Sequence, residues 1–306
     1  MDDSNKKPIR DCVEKINVDF FVCDDYQGKP VKTRDLHKVL LTMMVELDRV
    51  LRKNNIPYAM AFGSALGIYN YKGFIPWDDD IDVAIMYEDL ERVIEAFNKD
   101  LSDEYTFDCY EVDKGYNVFL PTIKFRKKDT LVKEVNELII PNRSKRGRGL
   151  FIDIVVLMEL PNDKKEHAKL LNISKSRVFP MCFFNTLLGI RFNKTQAWLK
   201  RKEREVYEKY KGSGTIGQTI LVPYQGGRKE VHELLFPIDK LLPFKEYEFE
   251  GHSFYSFNDL EFFLTRFYSK EALRELKDGE WVDNYPLNKR KSDHYSRVNL
   301  YSNKKK

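Results

Sequence analysis

Apolar positions fall first at helical and then at strand spacing. Leu36, Leu40, Met43, Leu47 and Val50 predict a helix over about 34–52, ended by Asn54-Asn55 and Pro57. Ahead of it, residues 1–32 are polar apart from the island Val18 to Cys23, and a turn at Gln27-Gly28-Lys29-Pro30 suits a short hairpin. Residues 58–62 read as a short strand that stops at Gly63-Ser64, and 65–69 as the start of a helix. In Asp80-Ile81-Asp82-Val83 the polar and apolar residues alternate, as on a strand, so Asp80 and Asp82 share one face. Leu90, Val93, Ile94 and Phe97 mark a helix over about 88–101. Strands are expected over 105–110, 116–126, 131–137 and 150–157. The last is apolar at nearly every position except Asp153, as in a strand buried on both faces, where a charge needs a partner.

Beyond this point the pattern changes. Residues 178–192 are dense in aromatics and precede a basic helical stretch, 194–211, with seven Lys/Arg and three Glu. The pair is too short to span a bilayer. It either lies on an anionic membrane surface or packs as a helix inside the protein beside a solvated neighbour. Residues 212–227 are glycine-rich but lack the Gly-Lys-Ser/Thr ending of a phosphate loop, and read as linker and turns. The remainder, 228–306, is aromatic and charged and ends in a polar tail expected to fray.

With 306 residues, 42% hydrophobic and 33% charged, the chain is long enough for a sizeable core and is not of disordered composition. Cys12, Cys23, Cys109 and Cys182 are scattered without a Cys-x-x-Cys pair, which argues against a zinc site or disulfide framework and for a reducing compartment. No apolar run follows the polar N-terminus, and no stretch approaches the roughly 18 apolar residues of a membrane span. The expectation is a cytoplasmic protein, soluble or peripheral to the inner membrane face. Net charge is only +4 and the basic runs form no recognisable module, which argues against nucleic acid as a partner.

Four aspartates, Asp78, Asp79, Asp80 and Asp82, crowd into five positions in an apolar setting. Carboxylates this close are costly unless a cation or protons offset them. Asp80 and Asp82 on one strand face suit a hard divalent cation, Mg²⁺ or Mn²⁺, bound with substrate phosphates. Free N–H groups at a helix start, approached without a Cβ at Gly63, form a phosphate cradle with Ser64. Asp153 would complete the metal site or take a proton from an attacking hydroxyl. Residues 124–148 hold nine basic residues against three acidic. Most of 143–148 reads as a solvated loop, whereas Lys124 and Arg126 share a strand face and are candidates for phosphate charge compensation. Trp77 either stacks on a base or closes on a cationic group, or anchors its loop to the core. His37, His167, His232 and His252 read as surface or hydrogen-bonded residues.

The order of glycine-serine turn, paired-acid strand and later single-acid strand resembles the nucleotidyltransferase superfamily. The run Gly63-Ser64-Ala65-Leu66-Gly67, then Lys72-Gly73-Phe74-Ile75-Pro76-Trp77-Asp78-Asp79-Asp80-Ile81-Asp82, resembles the LicD family of phosphocholine and ribitol-phosphate transferases. Gly149-Leu150-Phe151-Ile152-Asp153-Ile154 resembles that family's second acidic strand. Phe249-Glu250-Gly251, the segment 259–268, and Tyr285-Pro286 with Lys289, Arg290 and His294 resemble its C-terminal pattern. Ser269-Lys270-Glu271 depart from it, on the acceptor side. The resemblance implies an α+β fold: a nucleotidyltransferase-like mixed sheet flanked by helices, with a helical C-terminal half. It implies an N-terminal hairpin over 1–35, a catalytic core over 36–160, and an acceptor-shaping region over 161–306. The implied reaction moves a phospho-alcohol from a CDP-linked donor such as CDP-choline to a cell-surface glycan or teichoic-acid precursor, possibly lipid-linked, releasing CMP. Asp80, Asp82 and Asp153 would be both metal ligands and catalytic carboxylates. Two rivals use the same residues: transfer of NMP from an NTP to a small acceptor, and nucleotide binding without turnover.

Overall fold

The computed structural model describes residues 20–221, 234–268, 292 and 294–301. Cys12, His232, the 285–290 part of the family-like pattern, the Ser269-Lys270-Glu271 departure and the polar tail lie outside the described residues.

The expected hairpin is present as β1 (Phe21–Asp24) and β2 (Pro30–Lys32), paired antiparallel. Helix α1 (Thr33–Lys53) follows, and Leu36, Leu40, Met43 and Leu47 are fully buried along one stripe. Each such side chain contributes about 2 kcal/mol of apolar burial, enough to hold the helix on the sheet. β3 (Ala59–Met60), α2 (Phe62–Tyr71), β4 (Asp82–Met86) and α3 (Leu90–Asp100) come next. The acid-bearing strand is shorter than the alternation predicts: it opens at Asp82, with Asp80 in the preceding loop.

β5 (Tyr105–Cys109) and β6 (Ile123–Lys127) form an antiparallel pair. The strand expected over 116–126 is present only in its second half. Residues 116–120 instead turn, closed by Tyr116 N–H to Asp113 O and Leu120 N–H to Asn117 O. β7 (Leu131–Glu134) precedes β8 (Phe151–Glu159), the longest strand, which is buried on both faces as expected. β8 pairs in parallel with β4, and on its other side antiparallel with β6 and then β9 (Thr215–Gln218). Residues 215–218 are therefore a sheet strand, not linker. Their backbone pairing with β8 prevails over the surrounding glycines.

The remaining strands are β10 (Phe236–Pro237), β11 (Lys245–Phe249), β12 (His252–Ser256) and β13 (Tyr295–Asn299). Among the described residues, nine strands share one mixed sheet whose main path runs β10-β9-β8-β4-β3-β12-β11. Strands on both sides of residue 160 thus join it. β13 pairs with β7 in a separate ribbon. The region after 160 also carries α4 (Lys164–Leu188), α5 (Asn193–Tyr210), α6 (Ile238–Leu241) and α7 (Leu260–Phe267). Met181 and Cys182 of α4 pack with Leu199 and Val206 of α5 over Met158 and Leu160. Among the described residues, no helix is long and apolar enough to cross a membrane.

Candidate functional site

Register places the acids. Asp82 is the partner of Asp153 across β4 and β8. Lys124 of β6 is opposite Asp153, and Asp108 of β5 is opposite Lys124. Register partners face the same side, so Asp82, Asp153, Lys124 and Asp108 form one row across four strands. Lys124 Nζ lies 3.0 Å from Asp153 Oδ1 and 3.2 Å from Glu134 Oε2. Arg126, two residues along on the same face, donates to Gly149 O at 2.8 Å and to Glu134 Oε1 at 3.0 Å, and its Nε lies 3.6 Å from Asp108 Oδ2. Both cations are buried over the Phe151 ring, with Lys124 Nζ 3.2 Å from its centroid. Lys124 therefore compensates protein carboxylates, and Arg126 is held beside it in the same network.

That leaves net negative charge at the end of the row. Burial first, and then the Asp80 and Asp153 carboxylates, push the Asp82 carboxyl well above its usual range, with His294 partly opposing. A carboxyl that takes up a proton for these reasons sits where a cation would also be favoured. The Asp80–Asp82–Asp153 group expected from sequence is thus electrostatically one cluster.

A second grouping shares Asp80. His294 Nδ1–H donates to Asp79 Oδ1 at 2.8 Å, and its Nε2 lies 3.4 Å from Asp80 Oδ2. Burial alone would lower the imidazole, but Asp80 and Asp79 outweigh it and raise the group well above its ordinary value. Ser292 Oγ–H donates to the other oxygen of Asp79. One ligand atom each from Asp79, Asp80 and His294 lie within 4.8 Å of one another. This set of carboxylate oxygens with one imidazole fits a divalent cation, and its oxygens are those that Mg²⁺ and Mn²⁺ favour.

The glycine-serine turn is fastened to the acids on two sides. Ser64 Oγ accepts from the Asp82 N–H at 3.0 Å. A Cβ on Gly63 would lie 2.9 Å from Asp78 Oδ2, so the missing side chain lets that carboxylate close on the start of α2. The N-cap, Ala61, supplies no side-chain cap. Phe62 takes φ +49°, a left-handed value unusual outside glycine, while its ring packs against Phe263 and Phe267 of α7. Buried His37 donates from Nε2 to Asp78 O at 2.8 Å. Trp77 is buried near Phe20 and edge-on to Tyr71, with centroids 5.8 and 6.3 Å away, which is loop-anchoring geometry.

Several contributors escape sequence reasoning. Glu134, Asp108 and Ser292 carry no pattern that ties them to the acids, because their approach depends on strand pairing. Tyr268 and Tyr295 also face the cluster: burial raises both hydroxyls, helped by Asp78, Asp82 and Asp80 at the first and Asp79, Asp80 and Asp153 at the second. His294 is detectable in the sequence through its family-like setting alone.

Residues 55–199 match the family model described as LicD/FKTN/FKRP, nucleotidyltransferase domain. The lipopolysaccharide cholinephosphotransferase LicD of Haemophilus influenzae is 22% identical over 187 residues, covering 58% of this chain and 60% of that protein. Uncharacterized protein RP689 of Rickettsia prowazekii is 38% identical over 63 residues, 20% of this chain and 24% of the relative. Uncharacterized protein RT0683 of Rickettsia typhi is 44% identical over 63 residues, 20% of each chain. The chain thus spans about 60% of the length of the first relative and much less of the other two. The similarity to the LicD family model lies over residues 55–199, which hold every acid of the cluster.

Proposed function

We propose that this chain transfers phosphocholine, or a closely related phospho-alcohol, from a CDP-linked donor to a hydroxyl of a cell-surface glycan or teichoic-acid precursor, releasing CMP. The observation that carries the reading is the in-register meeting of Asp82 and Asp153 beside Asp80. The choice of phosphocholine rests on the similarity to the Haemophilus influenzae cholinephosphotransferase.

In this reading the acceptor oxygen bonds to the distal phosphorus of the donor, the bond from that phosphorus to the CMP oxygen breaks, and the acceptor's proton passes to Asp153. Lys124, with Nζ 3.0 Å from Asp153 Oδ1, fixes that carboxylate in the row. Asp80, Asp82 and Asp153, with Asp79 and His294 beside them, would hold Mg²⁺ or Mn²⁺. The ion, when bound, neutralises the phosphoryl oxygens as charge moves to the leaving group. Ser64 holds the turn at the start of α2 against β4, beside the acids.

The test is CMP release from CDP-choline in the presence of Mg²⁺, by the full chain and by Asp80→Ala and Asp82→Ala variants that keep their far-UV circular dichroism. Release by the parent and not by the variants is expected. Pyrophosphate release from an NTP, with CDP-choline untouched, would replace this reading with NMP transfer. Nucleotide binding without any turnover would make the chain a binding protein.

A further inference from the structure

The aromatic stretch that follows residue 177 is not packed inside the protein. α4 runs from Lys164 to Leu188, and its second half turns Phe179, Phe183, Phe184, Leu187 and Leu188 outward. Their spacing of three or four makes one continuous helical stripe. Phe179 is 73% exposed and Leu187 66%, while Met181 and Cys182 on the opposite face are buried. The Phe179 and Phe183 rings stack on each other in the open, 5.8 Å apart. Leu138, 79% exposed, and Ile139 widen the stripe, because Thr186 Oγ donates to Leu138 O at 3.2 Å. Arg143 fastens the same loop to α4 with two bonds to Asn185, at 2.7 and 2.8 Å. An exposed apolar surface of this extent on a folded chain marks a contact site.

Charge identifies what it contacts. Residues 167–202 hold eight lysines and arginines and no aspartate or glutamate, and 138–149 hold four cations and no acid. Arg191, Lys194 and Lys145 are exposed at or near the ends of the two apolar segments. Two copies of this face would bring like charges together, so self-association is disfavoured. Apolar side chains bordered mainly by cations, the one adjoining acid, Glu137, being paired with Arg148 at 3.7 Å, match an anionic bilayer surface, where the rings enter the headgroup layer and the cations meet lipid phosphates.

We propose that the second half of α4, with residues 138–139, docks this protein on an anionic lipid surface. A short stretch of chain joins the docking face to the acid row: Leu138 lies four positions after Glu134, the carboxylate that holds Lys124 and Arg126. Docked in this way, the chain meets acceptors that are themselves held in a membrane. The inference rests on the exposed face, not on the transfer reaction.

The experiment is flotation of the full chain with vesicles of phosphatidylcholine alone and of phosphatidylcholine with equimolar phosphatidylglycerol. Binding to the second only, weakened by high salt, is expected. A Phe179→Ser/Phe183→Ser/Leu187→Ser variant and an Arg191→Glu/Lys194→Glu variant should each bind about tenfold more weakly. Both should keep the parent's melting temperature, because the replaced residues are exposed, and both should release CMP from CDP-choline with a water-soluble acceptor as the parent does. Absence of parent binding to anionic vesicles at low salt overturns the proposal. So does binding unchanged by the apolar triple variant, or a dimer in analytical ultracentrifugation that the triple variant abolishes while vesicles stay unbound. None of these outcomes touches the transfer reaction.

Discussion

Asp82 and Asp153, 71 positions apart in the chain, are register partners on adjacent parallel strands. Neither carboxylate's position depends on a flexible loop. Asp82 N–H is held by Ser64 Oγ, and Asp153 N–H donates to Ile81 O at 3.1 Å. Changing either to asparagine keeps shape and removes charge. Each variant should lose roughly 10²- to 10³-fold in CMP release, the scale of removing one electrostatic contributor to a transition state. Stability should separate them. Asp82→Asn relieves crowding among carboxylates and should melt at or above the parent, by up to about 1 kcal/mol. Asp153→Asn weakens the hold on Lys124 and should melt lower. Parallel turnover and melting measurements check both.

Lys124 is the hinge of the charge network. Lys124→Met leaves Asp153 and Glu134 buried beside an apolar chain and should cost about 3–5 kcal/mol. Urea unfolding followed by fluorescence measures it. An unchanged midpoint would show that the two carboxylates find other compensation.

The loop carrying Asp78, Asp79 and Asp80 is held from behind by His37, whose ring stacks on Phe74 at 4.0 Å. Burial lowers this imidazole from 6.5 to about 4, although its bond to Asp78 O partly opposes. Between those pH values the unfolded chain binds the proton and the folded chain does not. Stability contributed by neutral His37 is therefore present above about 6.5 and is lost as pH falls to about 4, by at most about 3 kcal/mol. His37→Gln should flatten that part of the stability profile, as read from denaturant midpoints at several pH values.

Gly67 lets α2 touch the same loop: a Cβ there would fall 2.4 Å from Gly73 O. The obstacle is backbone and cannot swing aside. Gly67→Ala should cost about 1–3 kcal/mol and shift the acid loop, so turnover should fall further than the melting temperature suggests.

Removing divalent cations with EDTA should stop CMP release, and Mg²⁺ or Mn²⁺ should restore it. Binding to the folded chain alone raises stability by about 2.7 kcal/mol at a hundredfold excess over Kd. A melting curve with and without the ion reads this directly, and Asp80→Ala should remove the increment.

Much of this arrangement is legible in the chain. The period of Leu36 to Val50 locates α1 within a residue or so, and the apolar run around Asp153 identifies a strand covered on both faces. The alternation of Asp80 to Val83 locates the acid-bearing strand, although of the two acids only Asp82 belongs to it. What escapes is whatever depends on pairing between distant segments. Four residues among glycines, Thr215 to Gln218, are too few to show a period, and pairing with β8 and β10 makes them a strand. Asp79 gains its meaning from Ser292 and His294, more than two hundred positions away. The stripe from Phe179 to Leu188 stays open in the sequence between a surface and an interior helix, because composition reports apolarity and not the direction a helix face points.

The row of charges has a mechanical corollary. Ile152 and Ile154 flank Asp153 on β8 and are fully covered. Because strand side chains alternate, sliding β8 one position along β4 would set an isoleucine beside Asp82 and thrust Asp153 into the aliphatic layer. Misalignment is thus penalised by the greasy neighbours rather than by the carboxylates, which repel. The two isoleucines act as a detent, and polar replacements there would blur the alignment of the reactive groups before the sheet itself came apart.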